Sequence, residues 1–118
     1  MMATSEHVIL VVEDDDDIPE ALCEMLADEG YAVEVATNGA EALDRLRAMD
    51  AKPCLVLLDL MMPVMDGWTF LAEQRRDANL ASVPVVVLSA ARDLPTDVET
   101  IRKPLDPDRL MGAVHSRC

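Results

Sequence analysis

The aliphatic positions of this chain fall into short unbroken runs separated by stretches of helical period. Residues 8–12 (VILVV), 55–58 (LVLL) and 85–88 (VVVL) are uninterrupted, and each run is bounded by polar or turn residues. Runs this short and this apolar predict strands buried on both faces. Residues 31–36 alternate enough to predict another strand. Between the runs, Ile18, Ala21, Leu22, Met25 and Leu26 recur at helical spacing, with Pro19 suited to a first turn and Gly30 to a stop. Ala40, Leu43 and Leu46 share a second helical face after Asn38-Gly39. Trp68 and Leu71 open a third helix after Asp66-Gly67, and Asp106-Pro107 reads as an N-cap with proline at the first helical position before Leu110, Ala113 and Val114. Strands alternating with helices in this way predict right-handed parallel crossovers and a three-layer α/β sandwich.

In such sheets ligands sit outside the carboxyl ends of the strands. The residues that follow the runs are Glu13, Asp14 and Asp15 after the first, Asp59 after the 55–58 run, Ser89 after the 85–88 run, and Lys103 after a presumptive fifth strand. Taken singly, each has a bland explanation: an Asp after a strand is commonly a cap or turn former, a Ser can start a helix, and Lys-Pro is an ordinary dipeptide. Their joint placement after four strands is what points to chemistry. Carboxylates converging from separate strands need a counter-cation, and hard oxygen ligands with room for water and phosphate oxygens suit Mg²⁺. Aspartate is also a nucleophile toward phosphoryl groups, and Lys103 and Ser89 can neutralise charge that the metal does not.

Composition narrows the classes. The 118 residues, 51% of them apolar, suffice for one buried core, so a single domain over residues 1–118 is expected. Tyr31, Trp68 and Phe70 are the only aromatics, which leaves the core to aliphatic residues. A net charge of −13 repels phosphate backbones and anionic lipids, so neither direct nucleic-acid binding nor membrane binding is expected. Residues 13–17 hold five consecutive carboxylates that repel one another unless a cation or solvent relieves them. Asp16 or Asp17 is expected to cap the first helix. Cys23, Cys54 and Cys118 contain no C-x-x-C pair and are odd in number, so neither a disulfide framework nor a zinc site is expected, and Cys23 and Cys54 read as small buried hydrophobes. Reduced thiols, no signal peptide and no membrane span predict a cytoplasmic protein. Trp68 and the Met61, Met62, Met65 cluster are expected to pack around the loop after Asp59, and His7 and His115 have no obvious partners.

The chain resembles the bacterial two-component response-regulator receiver domain, in its single-domain form. The resemblance lies in residues 8–15 (VILVVEDD), 57–67 (LLDLMMPVMDG), 84–90 ending in Leu88-Ser89-Ala90, and Lys103-Pro104, and it spans essentially the whole chain. It implies a flavodoxin-like (β/α)5 fold with a five-stranded parallel sheet. It also implies Asp59 as the phosphorylated aspartate, Asp14 as a direct Mg²⁺ ligand, Glu13 as a ligand largely through water, and the backbone carbonyl of Met61 as a further ligand. Ser89 and Lys103 would hold the phosphoryl group. The implied partners are a sensor histidine kinase or histidine phosphotransfer protein and a downstream protein.

The chain departs from the pattern between Ser89 and Lys103. Residues 90–102 are too few for a full helix, a strand and two connections, and Pro95 opposes a long helix. Residues 98–102 are expected to be the strand, with the fourth helix shortened or missing. Thr100 stands where the family tends to carry an aromatic, so the output face is expected to differ. A pseudo-receiver that binds without turning over phosphate is one alternative. A Mg²⁺-dependent phosphohydrolase of the haloacid-dehalogenase type is another: Asp14 and Asp16 give its D-x-D, but Ile18 replaces the Thr or Val that should follow. No output domain is expected after Cys118.

Overall fold

A computed structural model of the chain describes residues 7–13, 17–59, 67–89, 99–102 and 106–118. Five strands, β1 (Val8–Val12), β2 (Ala32–Ala36), β3 (Leu55–Asp59), β4 (Val85–Ser89) and β5 (Glu99–Arg102), form one sheet in the order β2-β1-β3-β4-β5 with every neighbouring pair parallel. Four helices are described: α1 (Asp17–Asp28), α2 (Gly39–Ala48), α3 (Gly67–Arg76) and α4 (Pro107–Arg117). This is the flavodoxin-like order, and four helices agree with the shortened fourth helix that the sequence predicts. The fifth strand falls within the expected residues 98–102.

The unbroken aliphatic runs hide a period of two. Ile9, Val11, Leu55, Leu57, Val86, Leu88 and Ile101 face one layer with Leu22 and Leu26 of α1 and Leu110, Ala113 and Val114 of α4. Leu10, Val12, Val56, Leu58 and Val87 face the other, with Leu43 and Leu46 of α2 and Phe70 and Leu71 of α3. Each face therefore needs its own helices, and β1 and β3 are apolar on both sides because they are covered on both sides. Fully burying one such aliphatic side chain contributes about 1.5–3 kcal/mol.

Helix ends follow local chemistry. Asn38 caps α2, its side-chain oxygen accepting from the Glu41 amide at 2.9 Å, while Glu41 accepts from the Thr37 amide at 3.0 Å. Asp106 caps α4 ahead of Pro107, as the sequence predicts. Helix α1 ends in a Schellman turn: the Gly30 amide donates to Ala27 and the Tyr31 amide to Leu26, with Gly30 at φ +93°. Gln74 of α3 is buried and donates to the carbonyls of Leu80 at 2.7 Å and Val83 at 3.2 Å, which ties the turn before β4 to the helix.

Several expectations need correction. Cys54 and Cys118 form a disulfide, with Cα atoms 5.5 Å apart and a sequence separation of 64. A cross-link over a loop of that length restricts the unfolded chain by about 4 kcal/mol on loop-entropy grounds. Spacing could not reveal it, because the pairing arises only once α4 lies across the sheet face beside the start of β3. Cys23 is half-buried and free, and its burial pushes the thiol pKa up. Trp68 is 44% exposed on the first turn of α3, and the loop it was expected to pack around lies outside the described residues. His115 has a partner, its Nε2 lying 3.2 Å from Glu29 Oε1, and Tyr31 stands between the rings of His7 and His115 with centroids 6.3 Å from each. The methionines at 61, 62 and 65 and the capping role expected of Asp16 lie outside the described residues.

A Cβ added at Gly30 would meet nothing within 4 Å, so backbone strain is the whole cost of substitution there. Gly30→Ala is expected to lower stability by about 1–2 kcal/mol in urea denaturation with the m-value unchanged.

Candidate functional site

The strand order fixes where a site can form. Chain connections leave β1 in opposite directions, to β2 on one side and eventually β3 on the other, and the crevice opens at the carboxyl ends of β1 and β3 where that reversal occurs. Register then selects the residues. Val11 pairs with Leu57 and Val12 with Leu58, so the next residue along each strand is Glu13 and Asp59. Those two carboxylate-bearing residues stand side by side, about 5 Å apart at the backbone as adjacent strands require. By the alternation of each strand they also share the face of Val11 and Leu57.

Glu13 is held in place by its own amide, which donates to the Ala36 carbonyl at 3.0 Å and so extends the β1–β2 ladder by one step. Both residues are nearly closed to solvent, Glu13 at 3% and Asp59 at 6% exposure. Carboxylates are rarely so buried unless paired, hydrogen-bonded or coordinated, and each of these two makes a polar interaction in the structure. Ser89 ends β4 on the far side of β3. Asp59 pairs with Leu88, so Ser89 lies one residue beyond the Asp59 level, and Ser89 in turn pairs with Arg102, the residue before Lys103. The sheet thus brings Glu13, Asp59 and Ser89 to one rim, in the order the sequence predicts. Asp14, the carbonyl of Met61 and Lys103 lie outside the described residues.

Among the described residues the donors at this rim are hard oxygen, the buried carboxylates of Glu13 and Asp59. That chemistry fits Mg²⁺ rather than a soft or borderline metal. Among the described residues no group of three or more His, Cys, Asp or Glu side chains that could hold a metal ion is gathered. No helix among the described residues is long and apolar enough to cross a membrane.

Comparison with known proteins agrees with this geometry. The family model for the response regulator receiver domain matches residues 9–115. The chain is 37% identical over 117 residues to the response regulator Rre1 of Synechocystis sp., covering 92% of this chain and 50% of that protein. It is 36% identical over 124 residues to the DNA-binding response regulator MtrA of Mycobacterium tuberculosis, covering 98% of this chain and 52% of MtrA. The chain spans about half the length of the curated relatives it matches. Among solved structures, it superposes on the signal receiver domain of a signal transduction histidine kinase from Syntrophus aciditrophicus with a TM-score of 0.83 and 31% identity, covering 93% of this chain and 88% of that one. The phosphorylated cyanobacterial phytochrome response regulator RcpA gives a TM-score of 0.78 and 31% identity, with 95% and 91% covered.

Like charges on neighbouring strand ends, about 5–8 Å apart, repel by about 1–3 kcal/mol at an intermediate dielectric when no cation lies between them. Asp59→Asn is therefore expected to raise stability toward urea by an amount in that range when divalent cations are chelated. Equal or lower stability of the variant would show that the two charges are not in opposition.

Proposed function

Because the chain belongs to the response regulator receiver domain family of two-component systems, we propose that residues 1–118 act as a phosphoacceptor switch in which Asp59 takes the phosphoryl group. The observation that carries this is the buried Glu13–Asp59 pair at the β1/β3 switch point, with Ser89 on the next strand. A carboxylate fixed at the end of a rigid central strand loses little entropy on reaching an in-line geometry, and phosphoryl transfer is mostly a matter of positioning and charge neutralisation.

In the proposed step a carboxylate oxygen of Asp59 attacks phosphorus, and the bond from phosphorus to the donor breaks. With a phosphohistidine donor that bond is P–N, and the imidazole nitrogen leaves with the electron pair and takes up a proton. The product is an acyl phosphate on Asp59. Glu13 and Asp14, with Asp59 itself and the Met61 carbonyl, would hold Mg²⁺, which supplies charge neutralisation at the phosphoryl oxygens when bound. The Ser89 hydroxyl donates a hydrogen bond to a phosphoryl oxygen and the Lys103 ammonium pairs with another, so both stabilise charge that develops during transfer. The chain catalyses its own phosphorylation and dephosphorylation and turns over no separate substrate.

The phosphoryl donor in this account is a sensor histidine kinase or a histidine phosphotransfer protein, and a downstream protein reads the result. The strongly acidic surface favours a protein partner over direct contact with nucleic acid. A cytoplasmic site of action fits a partner kinase that presents phosphohistidine there. A phosphohydrolase would place its nucleophile after β1, which leaves the burial of Asp59 after β3 without a purpose.

Incubation with acetyl phosphate and Mg²⁺ is expected to add one phosphoryl group by intact mass, with none added to Asp59→Asn or in excess chelator. Ser89→Ala and Lys103→Ala are each expected to slow labelling, on the order of a hundredfold. An unlabelled parent protein would overturn the proposal, and release of phosphate from a phosphomonoester with multiple turnovers would favour the hydrolase.

A further inference from the structure

The end of the sheet opposite Asp59 carries a second chemistry-bearing pair. Cys54 immediately precedes β3, and Cys118 is the C-cap of α4. Each is positioned by contacts that do not need the sulfur–sulfur bond. The Cys54 amide donates to the Val8 carbonyl at 2.9 Å, in continuation of the sheet, and the Cys118 amide donates to the Val114 carbonyl at 2.9 Å, in continuation of the helix. Helix α4 is itself seated by Leu110, Ala113 and Val114 against the layer that contains Ile9, Leu55 and Leu57. Packing alone therefore brings the two Cα atoms to 5.5 Å, inside the span a disulfide bridges. Such a bond can open and close without refolding the domain.

Both cysteines are partly exposed, so a small thiol or disulfide can reach them, and solvent-reachable disulfides are the labile ones. The third cysteine, Cys23, lies on α1, and its partial burial pushes its thiol pKa up, which lowers its thiolate fraction. What the bond controls is the last turn of α4. Beyond Val114, among the described residues, that turn meets the rest of the domain through Cys118 against the apolar layer, the Tyr31–His115 ring contact, and the His115–Glu29 and Arg117–Glu99 pairs, whose side chains are all at least 30% exposed, and exposed pairs contribute little. Helix ends held so lightly open readily.

We propose that Cys54 and Cys118 are a reversible redox pair that fastens the last turn of α4 to the start of β3 when oxidised and releases it when reduced. The oxidant is a disulfide of the glutathione class. The thiolate of one cysteine attacks a sulfur of glutathione disulfide and expels one glutathione thiolate. The second cysteine thiolate then attacks the mixed disulfide and expels the other. The protein loses two protons and two electrons, and one glutathione disulfide becomes two glutathione thiols. Excess reduced glutathione reverses both steps. The proposal stands on the fold and is independent of whether Asp59 accepts phosphate.

The test equilibrates the full chain in buffers of increasing glutathione disulfide to glutathione ratio, quenches in acid, alkylates, and reads intact mass and linked peptides, alongside hydrogen exchange of α4. Expected is a monomeric product lighter by two hydrogen atoms, with a Cys54–Cys118 linked peptide, full reversal by reduced glutathione, and amide exchange over residues 115–118 roughly tenfold slower in the oxidised form. Cys118→Ser, which leaves Leu110, Ala113 and Val114 of α4 in place, and Cys54→Ser are both expected to abolish the redox dependence, whereas Cys23→Ser retains it. Two thiols that stay alkylatable at the highest ratio would overturn the proposal. So would linkage through Cys23 or between molecules, or closure of the bond with no change in exchange.

Discussion

Burial of β1 and β3 on both faces is the constraint from which the remaining features of the domain follow. A strand apolar on both sides can exist in water only if helices cover both sides, so the chain must cross over the sheet on one face and then on the other. Helices α1 and α4 cover the face of Ile9, Val11 and Leu57, and α2 and α3 cover the face of Leu10, Val12 and Leu58. The reversal that this requires leaves the carboxyl ends of β1 and β3 uncrossed by any connection between them, and a crevice results. Glu13 and Asp59 stand there because they are the first residues past the apolar runs that the two layers bury.

That placement sets two opposing demands on one pair of strands. Toward their amino ends β1 and β3 are rigid and dry, with Leu55, Val56, Leu57 and Leu58 fully buried. At the carboxyl end the same strands carry two buried acidic residues, Glu13 and Asp59, on neighbouring strands. Buried oxygen donors at a strand-end rim are of the kind that suits a hard cation. Cys54 lies at the other end of β3, about 16 Å from Asp59 along an extended strand of five residues. The domain thus has an electrostatic end and a thiol end joined by one buried strand, and α4 is in contact with the strand along the face between them.

The strands and the rim residues were legible in the sequence because two-sided burial writes itself as an unbroken aliphatic run, and the residue that ends the run is the residue at the rim. Gly30 and Asp106 were legible for a related reason: capping and left-handed turns restrict residue type locally, whereas Asn38 read only as a break before the second helix. The features that were not legible depend on elements distant in sequence meeting in space. Cys54 and Cys118 are 64 residues apart and His115 and Glu29 are 86 apart, and both pairs exist only because α4 docks beside α1. Within α3 the inward positions belong to Phe70, Leu71 and Gln74, and Trp68 lies on the exposed side of the helix.

The central claim is that the phosphoryl group goes to the carboxylate at the end of β3 and not to another of the clustered acids. Borohydride reduces an aspartyl phosphate to homoserine, so treatment of the phosphorylated protein followed by peptide sequencing reads the acceptor directly. The account predicts homoserine at position 59 alone. Homoserine at 14, 15, 16 or 66, with aspartate intact at 59, would contradict it.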